Sequence, residues 1–319
     1  MRMVPEVRRK IIIDTDPGQD DAAAIMLALA SPELDVVAIT TVAGNVPLAL
    51  TSRNARIVCE LAGRADMPVF AGADKPLLRS LVTAEHVHGK TGLDGAELDE
   101  PSMPLQDVHA VDFLVETIMR EPEGAITLCT LGPMTNVALA LKAEPAIAKR
   151  LAGLVAMGGG CFEGGNITPA AEFNIFVDPE AAQMVFSSGM AITLMPLDVT
   201  HKLLTTRQRT DRILAIGNRP AMALAQMLMF FERFDEAKYG TDGGPLHDPS
   251  VIAFLVRPDL FSGRQCNVEI ETLSPLTAGM TVIDWWQVTE RAHNALVIGD
   301  VDSDRFFDLL VERLARLPG

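Results

Sequence analysis

Five short apolar and β-branched runs, KIIID, LDVVAITTVAG, AITLCTLG, LAGLVAMGG and AITLMPLDV, recur through the first two hundred residues. Between them lie amphipathic stretches at 20–30, 47–62, 109–120, 134–143 and 179–188, which predict helices. Strands alternating with helices describe an α/β fold: an open, mostly parallel, doubly wound sheet flanked by helices. Ligands in such folds bind at the carboxyl edge of the strands. Several of these runs end there in glycine or a polar residue.

After residue 200 the pattern becomes a helical and short-strand elaboration. Two helical segments, RPAMALAQMLMFFERFDEAKYG and DPSVIAFLVRPDLF, precede short strands in CNVEIE, MTVIDWW and NALVIGDVD, and DSDRFFDLLVERLARL closes the chain as a helix. No linker or repeat interrupts this order, so residues 1–319 read as a single domain. The length suffices for a substantial core, and 48% hydrophobic residues exclude global disorder.

Acids outnumber bases 42 to 27, and the formal charge of −15 repels nucleic acid and anionic membranes. Small molecules, cations and further copies of the chain are the partners this leaves. Cys59, Cys129, Cys161 and Cys266 show neither a CxxC pair nor zinc spacing, and read as buried thiols of a reducing compartment. The apolar run at the N-terminus stops at Asp14, too short for a signal peptide, and no run reaches the roughly 20 residues of a membrane span. A cytoplasmic, soluble protein is expected.

The first strand runs into IIIDTDPGQDD, with four aspartates in eight positions. Pro17 and Gly18 turn the chain, which leaves Asp14 and Asp16 at the strand end and Asp20 and Asp21 in the first turn of a helix. The helix dipole accounts for one or two acids there. Four converging in a partly dry cleft call for a cation, and hard oxygen ligands suit Ca²⁺ or Mg²⁺ rather than zinc.

Further polar clusters follow the other strands. Asn45 ends TVAGN, and the carbonyl of Leu131 lies free in the Gly-Pro turn of CTLGPMTN. The long polar segment MGGGCFEGGNITPAAEFNIFVDPEA carries Asn166, Glu172 and Asn174, groups suited to sugar hydroxyls. In GGPLHDPS, His247 and Asp248 precede a helix that Pro249 can open, so Asp248 is a candidate ligand and His247 a candidate proton donor. His88, in EHVHGKTGLDG, reaches toward the same place from a glycine-rich loop, whereas His109, His201 and His293 read as surface or capping residues.

In order and spacing, DTDPGQDD, TVAGN, LGPMTN, GNITPAAEFNIFVDPEA and HDP resemble the inosine-uridine nucleoside hydrolases over nearly the whole chain. The resemblance implies one Ca²⁺ bound by the carboxylates of Asp16, Asp21 and Asp248 and the carbonyl of Leu131. It assigns the ribose to Asp20, Asn45, Asn166, Glu172 and Asn174, with Phe173 packed on sugar or base. Asp16 would take a proton from water and His247 would protonate the departing base, with His88 a further catalytic candidate. Asp14 is left to orient its neighbours. The substrate implied is a ribonucleoside, and the assembly a homodimer or homotetramer.

Base preference is less defined. Tyr239 is kept, but Phe231 and Asp235 stand where pyrimidine-preferring members carry threonine and glutamine, and the Trp285-Trp286 pair has no assigned place. Two other readings use the same residues. A Mg²⁺-dependent phosphatase of the haloacid dehalogenase type would make Asp14 a nucleophile, and a Ca²⁺-dependent nucleoside or sugar binder would keep the cleft without turnover.

Overall fold

The computed structural model describes residues 8–240 and 242–319, apart from the side chains of 234–239. Its strands, in chain order, are β1 (Arg9–Thr15), β2 (Leu34–Thr41), β3 (Val69–Ala71), β4 (Ile126–Thr130), β5 (Gly153–Met157), β6 (Ile192–Met195), β7 (Phe261–Cys266), β8 (Val268–Ile270), β9 (Thr281–Ile283) and β10 (Ala295–Val301). Eight form one sheet in the order β3-β2-β1-β4-β5-β6-β10-β7, while β8 and β9 pair separately. All neighbours in the large sheet run parallel except β10 and β7.

The three isoleucines of β1 show why the sheet is covered on both sides. Ile11 and Ile13 pack into one core and Ile12 into the other, and all three are wholly buried. Side chains alternate along a strand, so an unbroken apolar run suits only a strand with two dry faces. Burying each isoleucine contributes about 1.5–3 kcal/mol. Helices Gln19–Leu29, Pro249–Val256 and Ser303–Leu314 cover the first face, and Ala110–Arg120, Thr135–Ala143 and Pro179–Phe186 cover the second.

From β1 the chain builds outward through β2 and β3, then returns to lay β4 on the other side of β1. That reversal makes the carboxyl ends of β1 and β4 a topological switch point, where the diverging connections leave a crevice. Asp14 and Thr130 are register partners there.

Several elements depart from the sequence-based expectation. β3 has only three residues, and β7, FSGRQC, is a mostly exposed edge strand without an apolar stripe. AITLMPLDV stops as a strand at Met195, because Pro196 opens the helical turn Leu197–Thr200. Within the long polar segment, Phe173–Val177 forms a short helix capped by the Glu172 side chain. No described helix is long and apolar enough to cross a membrane.

Candidate active site

The turn after β1 delivers the aspartates to the crevice. Gly18 N–H donates to Asp21 Oδ2 at 2.9 Å, which starts the helix Gln19–Leu29, and the Thr15 hydroxyl donates to the other oxygen of Asp21. Asp14, Asp16 and Asp21 are wholly buried, and Asp20 and Asp248 nearly so. Asp20, Asp21 and Asp248 each offer an oxygen within 4.8 Å of the others, close enough to hold a metal ion. Asp16 lies against this triad: its main-chain carbonyl and Asp21 Oδ2 share the Asn45 amide, at 3.1 and 3.2 Å.

Burial dominates the electrostatics. It raises Asp16 and Asp248 well above the usual carboxylate range, and the neighbouring aspartates raise both further. Asp20 is pushed up to about 8 by burial and by Asp21. Among the described residues, Oδ1 of Asp16, Oδ1 of Asp20 and Oδ2 of Asp14 have no hydrogen-bond partner. Buried, crowded and unpartnered carboxylate oxygens are the donor set a hard cation satisfies.

Asp14 has a separate place. Its Oδ1 accepts from the Thr40 hydroxyl at 2.6 Å and from the Asn136 amide at 2.8 Å, and its carbonyl accepts from Leu131 N–H at 2.8 Å. Burial raises it to about 6. It ties β1 to β2 and to the helix Thr135–Ala143 and, like Asp16 and Asp21, is not among the residues that line the cleft.

Above the aspartates opens a cleft of about 700 Å³, its solvent mouth included. Asp20, Asn45, Leu131, Asn166, Glu172, Phe173, Asn174, His88, His247 and Asp248 all line it, so the fold gathers nearly every residue singled out from sequence. Asn174 donates to the Leu131 carbonyl at 2.7 Å, so that oxygen, expected to be free, already has one partner and keeps one lone pair, and Asn166 accepts from Phe173 N–H at 2.9 Å. Glu172 accepts main-chain N–H groups of Asn174 at 3.0 Å and Gly159 at 2.9 Å, yet burial still lifts it to about 7. The side chains of Tyr239 and Asp235 lie outside the described residues.

Four histidines line the cleft: His86, His88, His201 and His247. His247 shares a 2.8 Å hydrogen bond between Nδ1 and the Thr200 hydroxyl, and burial brings it down to about 3, helped by His201 and His88. His201, read from sequence as a surface or capping residue, does close the helical turn Leu197–Thr200 as its C-cap, and it also lines the cleft with its ring 5.9 Å from that of His247. Its Nδ1 meets Glu163 at 3.1 Å. Its position just after β6, at the carboxyl edge, was the available signal. His109 does cap the helix Ala110–Arg120. The Trp285-Trp286 pair packs around Phe162 and Arg264 and does not line the cleft.

Fold and site together define an α/β protein with an acidic cleft at the carboxyl edge of its sheet. The model of the inosine-uridine preferring nucleoside hydrolases matches residues 11–308, and the chain belongs to that family of nucleoside N-ribohydrolases. It is 48% identical over 306 residues to the pyrimidine-specific ribonucleoside hydrolase RihA of Citrobacter koseri, covering 96% of this chain and 97% of that one. It is also similar to a solved plant nucleoside hydrolase, the PpNRh1 enzyme, with a TM-score of 0.90 at 34% identity over 97% of this chain and 99% of that one. For the purine-preferring ribonucleoside hydrolase of Gardnerella vaginalis the TM-score is 0.89 at 31% identity, with 96% and 98% covered.

Proposed function

We propose that the chain hydrolyses ribonucleosides to free base and ribose with a calcium ion held by Asp16, Asp21, Asp248 and the carbonyl of Leu131. The observation that carries this reading is the burial of these carboxylates together with the unpartnered oxygens of Asp16 and Asp20. An all-oxygen donor set favours a hard cation over zinc. Bound there, the ion would offset the carboxylate charge and orient the ribose diol and a water.

The chain's own residues then divide the work. Asn45 N–H holds Oδ2 of Asp16 at 2.7 Å, which leaves Oδ1 to take a proton from the attacking water. Asp20, Asn45, Asn166, Glu172 and Asn174 hold the ribose hydroxyls, and their oxygens stabilise positive charge as the sugar becomes oxocarbenium-like. Phe173 supplies an apolar wall. His247 is placed to hand a proton to the departing base; burial holds the free imidazole down to about 3, so this role requires the negative charge developing on the leaving base to raise that value.

The name of the Citrobacter koseri relative makes uridine and cytidine the first substrates to try, with purine ribonucleosides next. A cytoplasmic homodimer or homotetramer is part of the same reading, and light scattering on purified protein tests the assembly. Reducing-sugar release from uridine, cytidine and inosine, with and without a chelator, tests the chemistry. Release that stops on chelation and returns with Ca²⁺ supports the reading in full. Chelator-insensitive release removes the metal's role, and no release from any nucleoside removes the activity.

A further inference from the structure

His88 lines the cleft but has no part in the chemistry above, and its surroundings define what its ring can do. The side-chain amide of Gln19, wholly buried, reaches it twice. Gln19 Nε2 donates to the His88 carbonyl at 2.9 Å and to the Asp94 carbonyl at 3.1 Å. Two carbonyl oxygens require donors, so the amide cannot be turned round, and Oε1 must face His88 Nδ1, which it meets at 2.7 Å. An amide oxygen only accepts, so Nδ1 carries the hydrogen.

The rest of the ring's environment holds it in place. It stacks on Phe231, with ring centroids 5.4 Å apart. On the other side Gly18 leaves the needed space, because a Cβ there would run into Nδ1. Burial, with a smaller contribution from His86, pushes the imidazole down to about 3, so it is neutral. In a neutral ring with hydrogen on Nδ1, Nε2 is a bare lone pair. Among the described residues Nε2 has no hydrogen-bond partner, and the ring borders the cleft.

We propose that Gln19 locks His88 as the Nδ1–H tautomer, so that Nε2 is a fixed acceptor that selects nucleobases presenting an N–H to the cleft. This rests on the ribonucleoside hydrolase reading of the same cleft and gives His88 a specificity role rather than that of a proton donor. The ring N–H of uracil or hypoxanthine has the required chemistry. A methyl group on that nitrogen removes it and leaves a buried acceptor facing carbon.

Two measurements test this. In nitrogen-correlated spectra of imidazole-labelled enzyme at pH 7.5, with the His88 signals assigned by their loss in His88→Gln, wild type shows hydrogen on Nδ1 and a bare Nε2. Gln19→Leu shifts His88 toward the Nε2–H form. Hydrogen on Nε2 in the wild type overturns the proposal. For kcat/KM, 3-methyluridine falls below uridine, and 1-methylinosine below inosine, by at least about tenfold.

His88→Gln, whose amide oxygen can accept, keeps that discrimination, and His88→Leu brings each pair within about twofold. Equal rates for methylated and parent substrates in the wild type overturn the proposal. So does discrimination that survives in His88→Leu, or a loss of all turnover in His88→Leu, which would mark a proton-transfer role. Absence of ribose release from every nucleoside by the wild type removes the underlying activity instead, and the selection with it.

Discussion

The main-chain N–H of Asn45 donates to Oδ2 of Asp16 at 2.7 Å, joining the loop after β2 to the turn after β1 across the floor of the cleft. Gly44 and Gly132 press on the same carboxylate from two loops, and a Cβ at either would collide with its oxygens. The geometry of Asp16 therefore depends on two absent side chains.

Gly44→Ala and Gly132→Ala are expected to displace that carboxylate while leaving the strands intact. Ribose release should fall by about a hundredfold or more, as with other misplaced reacting groups. Circular dichroism should remain that of the wild type. Activity within about twofold of wild type in both variants would contradict the role given to Asp16.

Asp248→Asn removes one of the charges that crowd the triad. Asp248 is raised by burial and by its neighbours, so ionising it in the ion-free protein costs stability. In urea unfolding at pH 8 with a chelator present, the variant should be more stable than wild type by about 1–3 kcal/mol. It should also lose the rise in Tm that added Ca²⁺ gives the wild type. A less stable variant under chelation would show that the crowding is relieved some other way.

Glu172 offers a pH test away from the triad. Burial raises it from 4.5 to about 7. A carboxyl raised on folding contributes stability that is complete below its unfolded value and is lost as pH rises through its folded one. Wild-type stability should thus lose roughly 3 kcal/mol between pH 4.5 and 7.5 from this group alone. Unfolding of Glu172→Gln across that range should show a shallower slope, and identical slopes would reject the assignment.

Asn136 joins β1, β2 and the loop after β3 through one amide. It donates to Asp14 at 2.8 Å and to the Thr41 carbonyl at 3.0 Å, and accepts from Ala73 N–H at 2.8 Å. Asn136→Ala leaves Ala73 N–H unpaired and takes one of two donors from Asp14 Oδ1 and from the Thr41 carbonyl, and should destabilise the fold by about 1–3 kcal/mol. Urea midpoints measure this, and a change under about 0.5 kcal/mol would mean the groups find other partners.

Much of the site was legible because its residues sit where strands end. Asp16, Asn45 and Leu131 each follow an apolar run, and the open-sheet pattern sends all such positions to one edge. His247 and Asp248 were readable through Pro249, which opens a helix at N1. The place of His201 in the cleft was missed because a capping histidine and a cleft histidine look alike in sequence, and this one is both. Gln19 was passed over among the aspartates, since nothing local distinguishes an amide held by a loop some seventy residues away. β7 was missed because an exposed edge strand carries no apolar alternation to read.

The sequence by itself determined the alternating strands and helices, the dry first strand and the acidic turn at its end, because these follow from periodicity, burial and turn chemistry within a few residues. The tertiary structure alone decided which carboxylate oxygens are left unpartnered, which imidazole faces which neighbour and which tautomer His88 adopts. Those properties depend on distances between loops far apart in the chain, and they appear only when the sheet brings its carboxyl ends together.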